Sequence, residues 1–190
     1  MEVIVINKVE KEIKDLFLRY VPDEFEHYMN DGAILLGAVD TDDSLFEPIG
    51  LTILVMEENQ FVIKWMWIDP DKRFNDGGCR MLEECFNITN DCNLKKLYAH
   101  VPALDAEAIG DSDIAGFFYE NGFQYLQDAD TQEGRVFVLS ADVDTAVSLG
   151  NDEENRRIAQ ARISKGYKNF PNKFTVTEVE YYSGVPIDEV

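Results

Sequence analysis

Apolar positions change their spacing several times along the chain, and each change marks an element. Residues 3–6 are a short apolar run that predicts a first strand. Val9, Ile13, Leu16, Phe17 and Tyr20 then recur at i, i+4, i+7, i+8 and i+11, the stripe of a helix with one face on a core. Pro22 ends that helix and can open a second short one through Phe25 and Met29. Asn30-Asp31-Gly32 reads as a turn, 33–39 as a strand, 41–44 as a loop and 49–56 as another strand. The polar break 57–60 precedes a further strand over 61–68. Connections this short predict consecutive antiparallel neighbours.

The second half has a different rhythm. Residues 77–90 form a helix whose Met81, Leu82, Cys85 and Phe86 share one face. A strand over 94–101 follows, so this strand–helix–strand unit predicts a parallel crossover. An acidic loop spans 102–112, and Asp111 or Ser112 can cap a short helix over 113–121. Gly122 suits the left-handed position that ends it. Residues 123–126 and 135–141 predict a closing hairpin. Periodicity alone defines a mixed α/β or α+β domain. In the last stretch, Asp152-Glu153-Glu154 precede six bases (Arg156, Arg157, Arg162, Lys165, Lys168, Lys173) in a window without acids, with Gly166 at the end of the helix this predicts. Acids first and bases last fit a helix aligned with its dipole. Residues 173–182 alternate as a strand, and the absence of a Gly/Ser linker predicts a docked extension rather than a tether.

Charge narrows the partners. The 190 residues carry 37 acids against 17 bases, a net charge of −20. That argues against nucleic acid, whose phosphates need clustered Lys and Arg, and against an anionic membrane surface. Solubility explains the charge, and so does the steering of a cationic amine. Cys79, Cys85 and Cys92, an odd count at helical spacing, predict no disulfide framework. No C-x-x-C or histidine pair supports zinc, so no metal is expected. No stretch reaches membrane-span length, and the expectation is a soluble cytoplasmic protein.

The chemistry concentrates in residues 68–78, Ile-Asp-Pro-Asp-Lys-Arg-Phe-Asn-Asp-Gly-Gly. A strand here feeds through a basic, glycine-containing turn into a helix N-terminus. The first turn of a helix has N–H groups without internal partners, and its dipole favours an anion. Successive turn amides add a concave nest, and glycine lets the backbone approach the ligand. Such a turn is a phosphate site or an ordinary strand–helix connection.

A second stretch, Phe117-Phe118-Tyr119-Glu120-Asn121-Gly122-Phe123, decides between them. Ile68, Pro70, Arg73 and Gly78 fall at the offsets of V-x-P-x-x-R/Q-x-x-G-x-G/A, with Met81-Leu82 as the apolar pair that follows. Asp76 stands where the first glycine is expected. Tyr119-Glu120-Asn121-Gly122-Phe123 is similar to a Y-E-K-x-G-F signature, with Ala115 at its alanine and Ser112 where asparagine is common. Together, over residues 1–143, they resemble the GNAT superfamily of acyl-CoA-dependent N-acyltransferases.

The resemblance implies an α/β (α+β) GNAT fold, a mixed central sheet with flanking helices, over residues 1–143. A C-terminal helix–strand extension, 144–190, would dock on that domain or on a second subunit of a homodimer. It implies acetyl-CoA as co-substrate and an N-acetyltransferase acting on a small-molecule or peptide amine by direct attack on the thioester. Arg73, Phe74, Asn75, Asp76, Gly77, Gly78 and Ser112 would hold CoA, with Lys72, Arg73 or Arg80 supplying charge. A backbone N–H of Trp67 or Ile68 would polarise the carbonyl. Tyr119 would act as general acid towards the CoA thiolate, unless it is a packed core tyrosine.

The carboxylate base that the family often carries on the 61–68 strand is missing, because that strand holds only Lys64. Glu57, Glu58 and Asp69 are alternatives through water, or solvated charges. Trp65 and Trp67 share a face and are either core or a surface for an amine. His27 and His100 read as isolated structural or surface residues. Asp76, Ser112 and the missing base leave open a binding or sensing module without turnover, or an interaction domain.

Overall fold

A computed structural model describes residues 2–29, 32–40, 47–72, 77–103 and 114–143. Seven strands form one sheet in the order β1-β2-β3-β4-β5-β7-β6. They are β1 (Glu2–Val5), β2 (Ile34–Val39), β3 (Pro48–Glu57), β4 (Gln60–Ile68), β5 (Lys96–Pro102), β6 (Gln124–Thr131) and β7 (Gly134–Asp142). Among the described residues the α-helices are α1 (Lys11–Leu18), α2 (Gly77–Asp91) and α3 (Ile114–Glu120), and Asp23–Met29 is a 3-10 segment. The first four strands are antiparallel neighbours, and β4 and β5 are parallel across α2, as the short and long connections require.

Local chemistry explains the joints. β3 and β4 meet at Glu57 and Gln60 around a two-residue turn, Glu58-Asn59, with φ of 48° and 61° at its centre. Two positive φ values match the twist of the flanking strands. At the end of α3, Gly122 (φ 86°) donates its N–H to the Tyr119 carbonyl, and Phe123 donates to the Phe118 carbonyl, at 3.0 Å each. That is a Schellman cap, and its apolar contact is the edge-to-face pair Phe118–Phe123, 5.0 Å between centroids. Asn93 (φ 57°) closes α2 in the same way, with the Leu94 N–H on the Thr89 carbonyl.

Two apolar clusters cover the sheet. One joins α2 and α3 to the strands through Met81, Leu82, Cys85, Phe86, Phe118 and Phe123. The other packs α1 and the 3-10 segment on β2–β4 through Phe17, Phe25 and Tyr28. Cys85 lies in the first, and burial pushes its thiol pKa well up, whereas Cys79 and Cys92 are exposed; none of the three is in a disulfide among the described residues. β6 continues beyond the predicted 123–126 to Thr131. An irregularity between Tyr125 and Gln127 breaks the alternation there and leaves Leu126 exposed, which hides the strand from a period-two reading. The predicted extension over 144–190, the cap at Asp111 or Ser112 and the loop over 41–44 lie outside the described residues.

Gly37 on β2 shows how tightly the second cluster closes. A Cβ there would sit 2.5 Å from Phe17 Cε1 and 2.8 Å from Ile6 Cδ1, and both side chains are fully buried. Gly37→Ala is expected to cost about 1–3 kcal/mol, read as a lower urea midpoint at unchanged slope. An unchanged midpoint would mean that this face is looser than described.

Candidate active site

β4 carries one residue more than β3 can pair. Ile53 lies opposite Trp65 and Leu54 opposite Ile63, so Lys64 is a bulge. A bulge bends its strand and raises its twist. β4 pairs with β5 only from Phe61–Leu97 to Ile63–Ala99. Beyond that point β4 stays with β3 as far as Ile68, while β5 stays with β7 through His100–Val138, Val101–Phe137 and Pro102–Val136. The sheet therefore divides, and the division begins at Lys64 and His100.

The phosphate-site motif lies at the far end of β4. Asp69 donates its N–H to the Ile49 carbonyl (2.9 Å), and its side chain accepts from the Asp71 N–H (2.9 Å), an Asx turn that starts the loop. Lys72 is ion-paired with Asp40 at 3.0 Å, so its charge already has a partner. Arg73, Phe74, Asn75, Asp76 and Ser112 lie outside the described residues. Gly77 and Gly78 are buried and open the fifteen-residue α2, with Arg80 exposed in its first turn. A Cβ on Gly78 would stand 3.0 Å from two ring carbons of Phe117. Thus the two sequence motifs meet in space at this glycine. The amide-rich start of a long helix, reached from the divided edge of β4, can receive an anion.

Tyr119 is fully buried (0% exposed) in the first cluster. Phe118 and Phe123 are core beside it, and Phe117 is partly buried. Trp65 and Trp67 share one face, as alternation requires, and pack against the second cluster. Trp67 stacks on Tyr20 (4.1 Å, 16°), and Trp65 meets Phe25 at 6.2 Å.

The sequence missed a polar network at the point of division. Lys64, only 4% exposed, places Nζ 2.8 Å from Glu57 Oε1, 3.2 Å from His100 Nδ1 and 5.6 Å from the Tyr28 ring centroid. Tyr28 donates its hydroxyl to Glu133 Oε1 (2.7 Å), and His27 Nε2 lies 3.2 Å from the same oxygen. Neither histidine is isolated, contrary to expectation, and Glu57 is a partnered charge. No local motif announces this, because its residues come from five separate stretches. The one available signal was Lys64 itself, a lone cation in an apolar strand. Burial, and then the Lys64 charge, push His100 down to about 4, so the imidazole is neutral at pH 7. Burial also raises Tyr28, and Glu133 reinforces the rise. Burial alone would raise Glu133, but its hydrogen bonds from Tyr28 and Thr131 outweigh that and hold it low.

Among the described residues, no group of three or more His, Cys, Asp or Glu side chains could hold a metal ion. No described helix is long and apolar enough to cross a membrane.

This architecture is that of the GNAT acetyltransferases. An aminoglycoside 6'-N-acetyltransferase complexed with coenzyme A superposes with a TM-score of 0.54 at 14% identity, over 75% of this chain and 97% of that one. An acetyltransferase of the GNAT family from Staphylococcus aureus Mu50 gives 0.52 at 18% identity, over 75% and 98%. The ribosomal-protein-S18-alanine N-acetyltransferase from Escherichia coli gives 0.54 at 14% identity, over 75% and 93%. No protein-family model matches the sequence, and neither does any curated protein. At these identities the likeness defines the fold.

His100 makes stability pH-dependent. Its folded pKa, about 4, lies below the ordinary 6.5, so between these values the unfolded chain binds more protons. The contribution is complete above about pH 6.5 and is lost as pH falls towards 4. The melting temperature of wild type should therefore fall more steeply across that window than that of His100→Gln. Parallel curves would contradict a neutral buried imidazole.

Proposed function

We propose that the chain is an acyl-CoA-dependent N-acyltransferase that moves acetyl from acetyl-CoA to a primary amine. The observation that carries this reading is the division of the sheet after Ile63 and Ala99, which leads along β4 to the glycine-rich start of α2. The fold of solved acetyltransferases, one of them complexed with coenzyme A, supports it.

In this reading, α2's first-turn amides hold the pyrophosphate together with the 73–76 loop and Ser112. Arg73 and the exposed Arg80 offset the acidic body. The pantetheine arm lies along the departing edge of β4, where a Trp67 or Ile68 N–H polarises the thioester carbonyl. CoA supplies the activated acyl group. The amine nitrogen forms the C–N bond, the C–S bond breaks with its electron pair on sulfur, and the amine proton is balanced by the thiol. Tyr119 is the proton donor to that sulfur.

A second reading, a CoA-binding or sensing module without turnover, is favoured by the complete burial of Tyr119. Free-thiol release from acetyl-CoA with a panel of primary amines separates the two. The transferase reading expects turnover, with Tyr119→Phe lowering kcat by about 100-fold and leaving the KM for acetyl-CoA unchanged. CoA binding with no thiol release from any amine would establish the module instead.

A further inference from the structure

The side of the sheet opposite α2 is covered over only part of its width among the described residues. The apolar cluster on that side draws its strand residues from β1 to β4. On the other strands Leu97, Ala99, Phe137 and Leu139 belong to the α2 cluster, so Tyr98, Val136 and Val138 alternate to this side. Val136 and Val138 belong to neither cluster. With Val62 on β4 and Leu126 and Ala129 on β6, Tyr98 and Val138 line a groove of about 620 Å3, bounded at the β3–β4 turn by Glu57 and Glu58. Leu126 is 48% exposed there. An apolar sheet face calls for a second layer to bury it.

Three observations point to the chain's own C-terminal extension as that layer. The first is where the chain leaves the sheet. Val143 donates its N–H to the Lys95 carbonyl (3.0 Å), so β7 ends beside the start of β5, at the end of the sheet where Phe61 pairs with Leu97 and the β3–β4 turn lies. The second is length. Residues 144–151, which lie outside the described residues, can span at most about 26 Å when extended. The helix predicted over 152–165 would be about 21 Å long at ~1.5 Å per residue. The distance from β4 to β6 is shorter, about 14 Å across three strand spacings.

The third is charge. No lysine or arginine is among the described lining residues of the groove. Glu57 is paired with Lys64, whereas the exposed Glu58 makes no ion pair among the described residues. Residues 155–177 hold bases and no acid. Within them Ala159 and Ile163 are one helical turn apart and share a face, and Arg162 and Lys165 stand at the end of the predicted helix.

We propose that residues 152–165 seat in this groove as a helix that crosses from β6 to the β3–β4 turn. Ala159 and Ile163 lie against Val62, Val138 and Leu126, and Arg162 and Lys165 face Glu58. A short tether gives the chain's own segment an effective concentration of about millimolar, which favours it over a second copy. The seat does not depend on the transfer reaction proposed above.

The test uses the full chain carrying Gln127→Cys, at an exposed position of the groove, and follows maleimide labelling of each thiol by mass spectrometry. Cys92, exposed just past α2, is the internal reference, and the fully buried Cys85 reports an intact fold. Relative to Cys92, the introduced thiol should label at least about tenfold more slowly than in the same chain with Ile163→Asp, which releases the segment. Glu58→Lys should also speed its labelling, and Lys165→Glu added to that variant should slow it again. If Ile163→Asp exposes Cys85, the Glu58→Lys and Lys165→Glu pair carries the comparison. The protection should be the same at protein concentrations about a hundredfold apart. Labelling that neither Ile163→Asp nor Glu58→Lys speeds overturns the seat and leaves the groove open to another ligand. Protection that grows with concentration assigns the groove to a second copy and overturns it equally.

Discussion

One surplus residue in β4 governs most of this molecule. Lys64 has no opposite number on β3, so the strand bends there and parts from β5 after only three paired residues. Backbone groups on the departing edge are lost to the β4–β5 ladder, which a well-packed sheet avoids unless something else takes them up. The cost of the bulge is offset locally. Glu57 and His100 receive the lysine ammonium, and the Tyr28 ring lies beneath it. A buried charge needs such partners, and removing one of them is far more damaging than never having the pair. The same feature thus opens the sheet and ties its two halves across the opening.

The division matters because of what stands at its ends. Towards the end of β4 the chain enters an Asx turn, and Gly78 at the start of α2 admits Phe117 from α3. Through that contact Gly78 and the helix that carries Tyr119 are held as one body. Towards the other end, the Glu133 carboxylate ties the β6–β7 turn to the 3-10 segment through Tyr28 and His27.

Much of this was readable from residues in order. Met81, Leu82, Cys85 and Phe86 disclose the buried face of α2, the polar break 57–60 discloses the hairpin, and Gly122 ends α3 as its left-handed geometry requires. The parallel crossover followed from the length of its connection. Three things were not readable. β7 lies between β5 and β6, an order that strand patterns do not encode. Leu126 disrupts the alternation of β6. The Lys64 network draws on residues from Glu57 to Glu133, and pairings so distant in sequence leave no local period. His27 and His100 therefore look isolated along the chain but are partnered in the fold.

The central claim is that the divided edge of β4 and the start of α2 form one CoA site. Amide hydrogen exchange with and without CoA tests it most directly. The account predicts slower exchange at residues 65–68 of β4 and in the first turn of α2, with β1 and β2 unchanged. Protection confined to other segments, or none at saturating CoA, would contradict it.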